Sequence, residues 1–170
     1  MMKKMRKDNK GISLVEVMVV VAIIVVLGGV GIWGVNAMSG KPAEQCAQQI
    51  IYSLERHRTS AMGKVNAQYV LYVDGSGKIM ADEYLTNEAT FSSATRKIEV
   101  GATRNVVTYT TSKGVTYDLA SNPLTLRFDR GSGSFQKLAD GSYCQSISIK
   151  RGGREYTVAF VPLTGKVYLD

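Results

Sequence analysis

An uninterrupted apolar run near the amino terminus dominates the hydrophobic pattern of the chain. Residues 17–40 include no charged side chain, and the first nineteen of these positions are apolar or glycine. A helix needs about 20 predominantly apolar residues to cross the hydrocarbon core of a bilayer. The pattern therefore predicts a membrane-spanning helix, and Glu16 is the one carboxylate that this helix contains.

A second helical pattern follows the apolar run. Residues 43–62 contain few strand formers, and side chains at spacings of three and four share one face. The residues of this face are Cys46, Ile50, Leu54 and His57. Several glycines and Ser39-Gly40-Lys41-Pro42 separate the two patterns, and each glycine inside a helix costs about 1 kcal/mol relative to alanine. We therefore expect one long helix that is loose or kinked at this join and ends near residue 63.

Beyond residue 66 the pattern changes from helical to alternating, which is typical of β-strands. Turn sequences separate the alternating segments, and the Gly152-Gly153 pair between two of them is a strong hairpin signal. The predicted strands are 68–73, 78–84, 98–100, 105–110, 115–118, 124–128, 146–150, 156–161 and 167–169. The sequence thus predicts an α+β fold in which a long amino-terminal helix packs on an antiparallel β-sheet domain.

The formal net charge of +7 overstates the basic character of the part that would fold. Residues 1–11 carry five Lys or Arg side chains against Asp8 alone, which leaves a charge of about +3 on the remaining chain. Basic residues before a transmembrane helix favour the cytoplasmic side, so the carboxyl-terminal domain is expected outside the cytoplasm. Its length is enough for one folded unit with a modest core.

Two cysteines, Cys46 and Cys144, belong to the part expected outside the cytoplasm. They are far apart in sequence and lack any metal-ligand spacing, and they could form a disulfide in an oxidising compartment. The alternative is a pair of separate, buried thiols. The sequence leaves both open.

The basic leader ends at Gly11, directly before the apolar run. In a secretory signal peptide the apolar region is about 7–15 residues long and the small-residue cleavage site follows it. Here the small residue precedes the helix, so cleavage would remove the charges and keep the helix. An ordinary anchor whose Glu16 reaches the headgroups is a further alternative, but it does not account for the spacing of Gly11 and Glu16.

This arrangement resembles the type IV pilin superfamily, in which a basic leader ends in glycine and a glutamate stands fifth in the mature chain. Gly11, Ile12 and Glu16 match those positions. The resemblance implies cleavage between Gly11 and Ile12 by a membrane prepilin peptidase, then methylation of the Ile12 amine. It also implies that Glu16 pairs with that amine on a neighbouring subunit. The expected organisation is a leader at 1–11, a transmembrane and assembly helix at 12–40, and an extracytoplasmic domain at 41–170.

A second, narrower resemblance lies in the last third of the chain. The GspH/FimT family of minor pseudopilins is similar in three segments: Leu126-Arg127-Phe128-Asp129-Arg130-Gly131, the hairpin around Gly152-Gly153, and Val161-Pro162-Leu163-Thr164-Gly165-Lys166-Val167. This implies a minor subunit of a type IV pilus, type II secretion or competence filament. Its partners would be other pilin subunits and prepilin peptidase, and it would cross the cell membrane once before it joins the filament.

Basic residues are frequent in the last third of the chain and favour a second hypothesis. They are Arg127, Arg130, Lys137, Lys150, Arg151, Arg154 and Lys166. A shared basic face could attract DNA by releasing counterions, and some GspH/FimT members act in DNA uptake. Lys150, Arg151 and Arg154 flank the predicted hairpin and are the candidate DNA contacts. Acidic residues interrupt the set and stacking aromatics are not evident, so we prefer a solvated face and regard DNA as the alternative.

The sequence offers no catalytic constellation, and we expect neither enzyme activity nor a cofactor or metal. His57 is the only histidine and falls on the apolar face of a predicted helix, where a packing role is usual. Gly131-Ser132-Gly133-Ser134 precedes no helix with a lysine, so it predicts a mobile loop and not a phosphate cradle. An anchored enzyme would require a constellation that this pattern lacks.

Overall fold

The structure, a computed structural model, describes residues 14–25, 41–88, 90–91 and 93–170. The chain divides into two units, Met1–Met38 and Ser39–Asp170. In the first unit, residues 14–25 form helix α1, and the rest of the predicted 12–40 helix lies outside the described residues. Within the described ranges, no helix combines the length and apolar character needed to cross a bilayer.

Helix α2, Lys41–Ala61, opens the second unit. Pro42 stands in its first turn, where a missing N–H costs nothing, and Glu44 near the start and Arg58 near the end complement the helix dipole. Gly63 follows with a φ of 92°, the left-handed conformation that commonly ends helices. The predicted apolar face is confirmed, because its members are all buried: Cys46, Ile50, Leu54 and His57.

Among the described residues, nine strands follow α2, and every predicted strand is present with ends that differ by at most a few residues. They are β1 Asn66–Val73, β2 Ile79–Thr86, β3 Arg96–Gly101, β4 Val106–Thr111, β5 Thr116–Asp118, β6 Leu124–Arg127, β7 Cys144–Arg151, β8 Arg154–Val161 and β9 Lys166–Leu169. The α+β class and the antiparallel sheets predicted from the sequence are therefore confirmed for this unit.

The strands form two sheets, with orders β3-β2-β1-β6 and β5-β4-β7-β8-β9. Most neighbours are consecutive in the chain, and the exceptions are the antiparallel pairs β1–β6 and β4–β7. Helix α2 contacts strands of both sheets. The core therefore lies between one face of α2 and the sheets, and it includes Ile50 and Leu54 from the helix and Leu71, Ile147 and Val158 from the strands.

The strands give this domain two ends. The proximal end is where the chain enters the domain at Pro42. Residues 102–105 lie there too, because Asn105 Nδ2 donates to the Pro42 carbonyl at 3.5 Å. The β7–β8 turn belongs to the same end. The distal end holds the last turn of α2, residues 129–135 and the β8–β9 turn. Helix α2 connects the two over a length of about 30 Å, at about 1.5 Å per residue.

Candidate functional site

The first candidate site is the amino-terminal segment. Glu16 lies on α1, while Gly11 and Ile12 lie outside the described residues. All of α1 is exposed in this unit, with Leu14 at 76% and Met18 at 67%. A helix with apolar side chains on all of its faces is stable in a membrane or in a protein core, and not when it is surrounded by water. The described part of α1 therefore presents a surface suited to lipid or to other apolar helices.

At the distal end, the segment 161–167 of the second resemblance lies against Gly133, two residues after the segment 126–131 of the same resemblance. Gly133 and Gly165 both have a φ of 67°, and a Cβ placed on Gly165 would overlap the carbonyl oxygen of Gly133. Arg58 at the end of α2 also binds here, because its Nε donates a hydrogen bond to the same Gly133 carbonyl at 2.9 Å. Gly165 is thus required by a close approach to backbone as well as by its conformation, whereas a Cβ on Gly133 would meet the Arg58 side chain, with Nε 2.9 Å away.

The loop that was predicted to be mobile is held by hydrogen bonds. Oδ1 of Asp129 accepts from the backbone N–H of Ser132 at 2.9 Å, from its hydroxyl at 2.7 Å, and from the Gly131 N–H at 3.2 Å. The bonds from Ser132 lower the pKa of Asp129. Phe135 N donates to the Pro162 carbonyl at 2.8 Å, so the segment is also joined to the β8–β9 turn.

The second candidate site is a groove at the proximal end. The sequence predicted a tip formed by Lys150, Arg151 and Arg154, and the structure brings these three together around the Gly152-Gly153 turn. That turn is the predicted hairpin, with Arg151 paired to Arg154 and both glycines at positive φ. The groove adds a cation that the sequence did not indicate, Arg104, whose φ is 72°.

Hydrogen bonds connect this groove to the start of α2. One amino group of Arg151 donates to the Thr103 carbonyl at 2.9 Å and to Asn105 Oδ1 at 3.3 Å. Asn105 in turn donates to Pro42, as described above. Lys150 forms an ion pair with Glu155 at 3.3 Å, the one carboxylate in the groove. Four cations and one carboxylate therefore line a surface at the point where the chain enters the domain.

The remaining basic residues of the last third do not join this groove. Arg127 lies on β6 in the first sheet and donates to Gln68 at 3.3 Å, whereas Lys166 begins β9 in the second sheet. The Lys137 ammonium lies 6.0 Å from the Tyr143 ring centroid. The single basic face considered from the sequence is therefore divided between two sheets, because alternation along a strand does not reveal which sheet the strand enters.

Both cysteines are buried, free thiols in the structure, so the disulfide considered from the sequence is not formed in it. The Cys46 thiol lies against Asn105 at the proximal end of β4, and Cys144 pairs with Thr111 at the other end. At about 3.4 Å per residue these ends are roughly 20 Å apart, whereas a disulfide needs Cα atoms within about 7 Å. Burial raises the pKa of each thiol to about 12.

His57 is fully buried, with its ring 5.7 Å from those of Tyr69 and Phe128. Neither ring nitrogen has a hydrogen-bond partner within the described part of the chain. Burial, with a smaller contribution from Arg56, lowers the pKa of His57 to about 4.

Two buried carboxylates form ion pairs with basic residues. Glu83 pairs with Arg56 at 2.6 Å, and Asp82 pairs with Lys97 at 3.7 Å. The described ranges contain no group of three side chains that could hold a metal.

Comparison with models of known protein families gives a match in the amino-terminal segment. Residues 6–32 match the family model described as the prokaryotic N-terminal methylation motif. The match spans Gly11, Ile12 and Glu16, and it supports a type IV pilin-like chain whose motif suggests prepilin peptidase processing and a membrane anchor. No curated protein and no solved structure matches the chain. The match does not extend to the domain at Ser39–Asp170.

Proposed function

We propose that this chain is a minor pilin or pseudopilin, a structural subunit of a type IV pilus, type II secretion or competence filament. The observation that carries the proposal is the prepilin-type motif at residues 6–32, in which Gly11 and Glu16 have the spacing of a processed pilin. The α+β domain with α2 against antiparallel sheets supports it. The close contact of Gly133 and Gly165 supports a GspH/FimT-type domain, because it brings the residues just after the segment 126–131 against the segment 161–167, and both segments belong to that resemblance.

The proposed role of Glu16 is to set the position of the incoming subunit. A carboxylate in the hydrocarbon of a bilayer costs roughly 2.5–3.5 kcal/mol at the centre of a helix, which favours a charged partner. After cleavage, the Ile12 amine of a neighbouring subunit would supply that charge. A shift of one helical turn would separate the two charges within an apolar bundle, and breaking a buried pair costs several kcal/mol.

The proposal is tested first by Gly11→Leu. We expect this variant to keep its leader, because a bulky side chain should not fit where prepilin peptidase accepts glycine. Mass spectrometry of the membrane fraction would measure the mass of the amino-terminal peptide. Gly75→Leu is the matched control, since Gly75 is an open turn position in the domain with no atom within 4 Å of its Cβ. Normal cleavage of the Gly11 variant would refute the proposal.

Glu16→Gln separates assembly from processing. The amide preserves the shape but removes the charge, so we expect the variant to be cleaved and inserted yet absent from sheared filaments or initiation complexes. Glu88→Gln, which neutralises an exposed carboxyl of the domain, should assemble normally. Incorporation of the Glu16 variant at the wild-type level would contradict the proposed pairing.

A second candidate function is DNA binding during uptake, and the presence of Arg104 beside the hairpin tip favours it. Each phosphate contact on duplex DNA contributes about 0.9 to the slope of log affinity against log salt, so three contacts give a slope near −3. We expect weaker dependence, because the mature charge is only about +3. Gel shifts at several salt concentrations measure the slope. A slope near −3 that disappears when Lys150, Arg151 and Arg154 are changed to alanine would make DNA binding the preferred function.

A further inference from the structure

We propose that the groove at the proximal end binds the anionic phospholipid headgroups of the membrane in which the chain is anchored. The groove is lined by Arg104, Val106, Lys150, Arg151, Gly152, Gly153, Arg154 and Glu155. This inference rests on the membrane anchoring included in the proposed function. It goes beyond that function because it assigns a ligand to a surface of the domain.

The charges of the groove favour a phosphate-bearing ligand. Within the described residues, neither Arg104 nor Arg154 forms an ion pair, and both are exposed. Arg151 donates only to neutral oxygens in its described hydrogen bonds, so its charge is not cancelled there. Glu155 offsets Lys150 alone. Three cations therefore remain available to an anionic partner.

The position of the groove favours a membrane as that partner. Two hydrogen bonds connect Arg151 through Asn105 to Pro42, the second residue of α2. Pro42 lies only a few residues after Met38, where the first unit ends. The cations thus cluster at the end of the domain that the anchoring segment enters. Basic residues close to a membrane anchor are attracted to anionic lipid, and the attraction falls off within a Debye length.

The apolar content of the groove also favours lipid over DNA. Val106 is 55% exposed among the cations, and mixed apolar and basic surfaces suit the boundary between headgroups and acyl chains. The described residues that line the groove include no aromatic side chain, so they provide no stacking platform of the kind that binds single-stranded nucleic acid. The surface combines phosphate attraction with shallow apolar contact.

The test uses the full chain in vesicles of phosphatidylcholine, with or without phosphatidylglycerol, that carry nitroxide-labelled headgroups. One fluorescent label is attached at Gly75→Cys in the β1–β2 turn, which lies at the proximal end because Ile79, the first residue of β2, pairs with Gly101. Another is attached at Leu163→Cys, in the distal β8–β9 turn. Both positions are exposed, whereas the native thiols are buried with pKa values raised to about 12, so labelling is selective. We expect phosphatidylglycerol to increase quenching at position 75 and not at position 163.

The variant R104A/R154A should reverse this effect. Each basic residue near an anionic surface contributes about fivefold to association, so the loss of two predicts roughly a 25-fold weaker contact. The control R130A/K137A removes the same charge outside the groove and should keep the quenching. Equal quenching with and without phosphatidylglycerol would overturn the inference. So would equal loss in the two double variants, which would indicate an effect of net charge alone.

Two further measurements separate the possible failures. Flotation with pure phosphatidylcholine vesicles tests the anchor: a chain that does not float refutes the proposed anchoring, whereas a chain that floats without the lipid-dependent quenching refutes only this inference. A short duplex DNA is also added to the vesicles. If the DNA binds through Arg104 and Arg154 while phosphatidylglycerol has no effect, the groove is a DNA site and the lipid proposal is wrong.

Discussion

The β8–β9 turn at the distal end and the β7–β8 turn at the proximal end use glycine in opposite ways. A Cβ on Gly165 would overlap the Gly133 carbonyl, and the Arg58 guanidinium donates to that same carbonyl. At the proximal end, a Cβ on Gly153 would have no atom within 4 Å. The distal glycines are fixed by contact between distant segments, whereas the proximal turn needs only its backbone conformation. The difference separates a turn that is held by packing from a turn that is open on its outer side.

The largest expected effect is on stability, from Gly165→Ala compared with Gly153→Ala. Both variants place a methyl group at positive φ, which costs about 1–2 kcal/mol. Only Gly165→Ala also overlaps the Gly133 backbone, so we expect a total loss of about 3 kcal/mol or more. Urea unfolding followed by circular dichroism measures both losses. Equal losses would show that the distal contact adds nothing beyond the turn conformation.

Acid should weaken the domain through His57, which packs on Phe128 next to the distal loop. The folded pKa is about 4 against an ordinary value of 6.5, so folding favours the neutral ring. The part of the free energy of unfolding that depends on a neutral His57 ring is fully present above pH 6.5, and it is lost as the pH falls towards 4. The loss approaches roughly 3 kcal/mol at about 1.4 kcal/mol per pH unit.

The matched variant for this pH dependence is His57→Leu, which keeps an apolar side chain in the core. Its stability should stay nearly flat between pH 6.5 and 4.5, a range above that in which Asp129, with its lowered pKa, is titrated. Denaturant unfolding at a series of pH values measures the slope in each protein. A wild-type slope that survives in His57→Leu would assign the acid sensitivity to other groups.

Two arginines offer a smaller comparison between the ends. Arg58 and Arg151 are both half-buried, and each donates to a backbone carbonyl at 2.9 Å. Replacing Arg58 with Met should cost about 1–2 kcal/mol, because it leaves a carbonyl without its donor in a packed contact. Arg151→Met should cost less, since water can replace the donor at the open end. Thermal melting of both variants tests this order, and a larger loss for Arg151→Met would contradict it.

The smallest effect concerns the two cysteines, which lie at opposite ends of β4. Because the thiols are free and roughly 20 Å apart along that strand, a reducing agent should leave the melting temperature unchanged. Cys46→Ala with Cys144→Ala provides the comparison without thiols. A fall of several degrees in reducing agent, seen only when both cysteines are present, would restore the disulfide that the sequence allowed.

Local patterns were sufficient to predict the elements of the domain. The face of α2 that contains Ile50 and Leu54 is buried as predicted, and each of the nine strands is present. The Gly152-Gly153 turn was also predicted, because a two-residue hairpin depends on its own residues. In each case the deciding interactions join residues that are close in sequence.

The sequence could not predict contacts between distant segments. Arg104 joins the hairpin tip only because β4 pairs with β7, and nothing in the residues around it indicates that pairing. The same pairing separates Cys46 from Cys144. The loop predicted to be mobile is ordered partly through Asp129, a local effect, and partly through Pro162, a distant one. The motif at residues 6–32, by contrast, can be recognised from the sequence alone, because it consists of a few residues at a fixed local spacing.

The order of strands in the second sheet also determines when the domain can be completed during synthesis. Strand β4 pairs only with β5 and β7 among the described strands, so one of its two edges stays unpaired until β7 has been synthesised. The β1–β2–β3 meander, by contrast, needs no later strand to form its hydrogen bonds. Strands β7, β8 and β9 provide much of the packing against α2, so part of the apolar face of α2 stays exposed until these last strands have been synthesised. A nascent chain of this kind is most prone to aggregation late in its synthesis, just before these strands are complete.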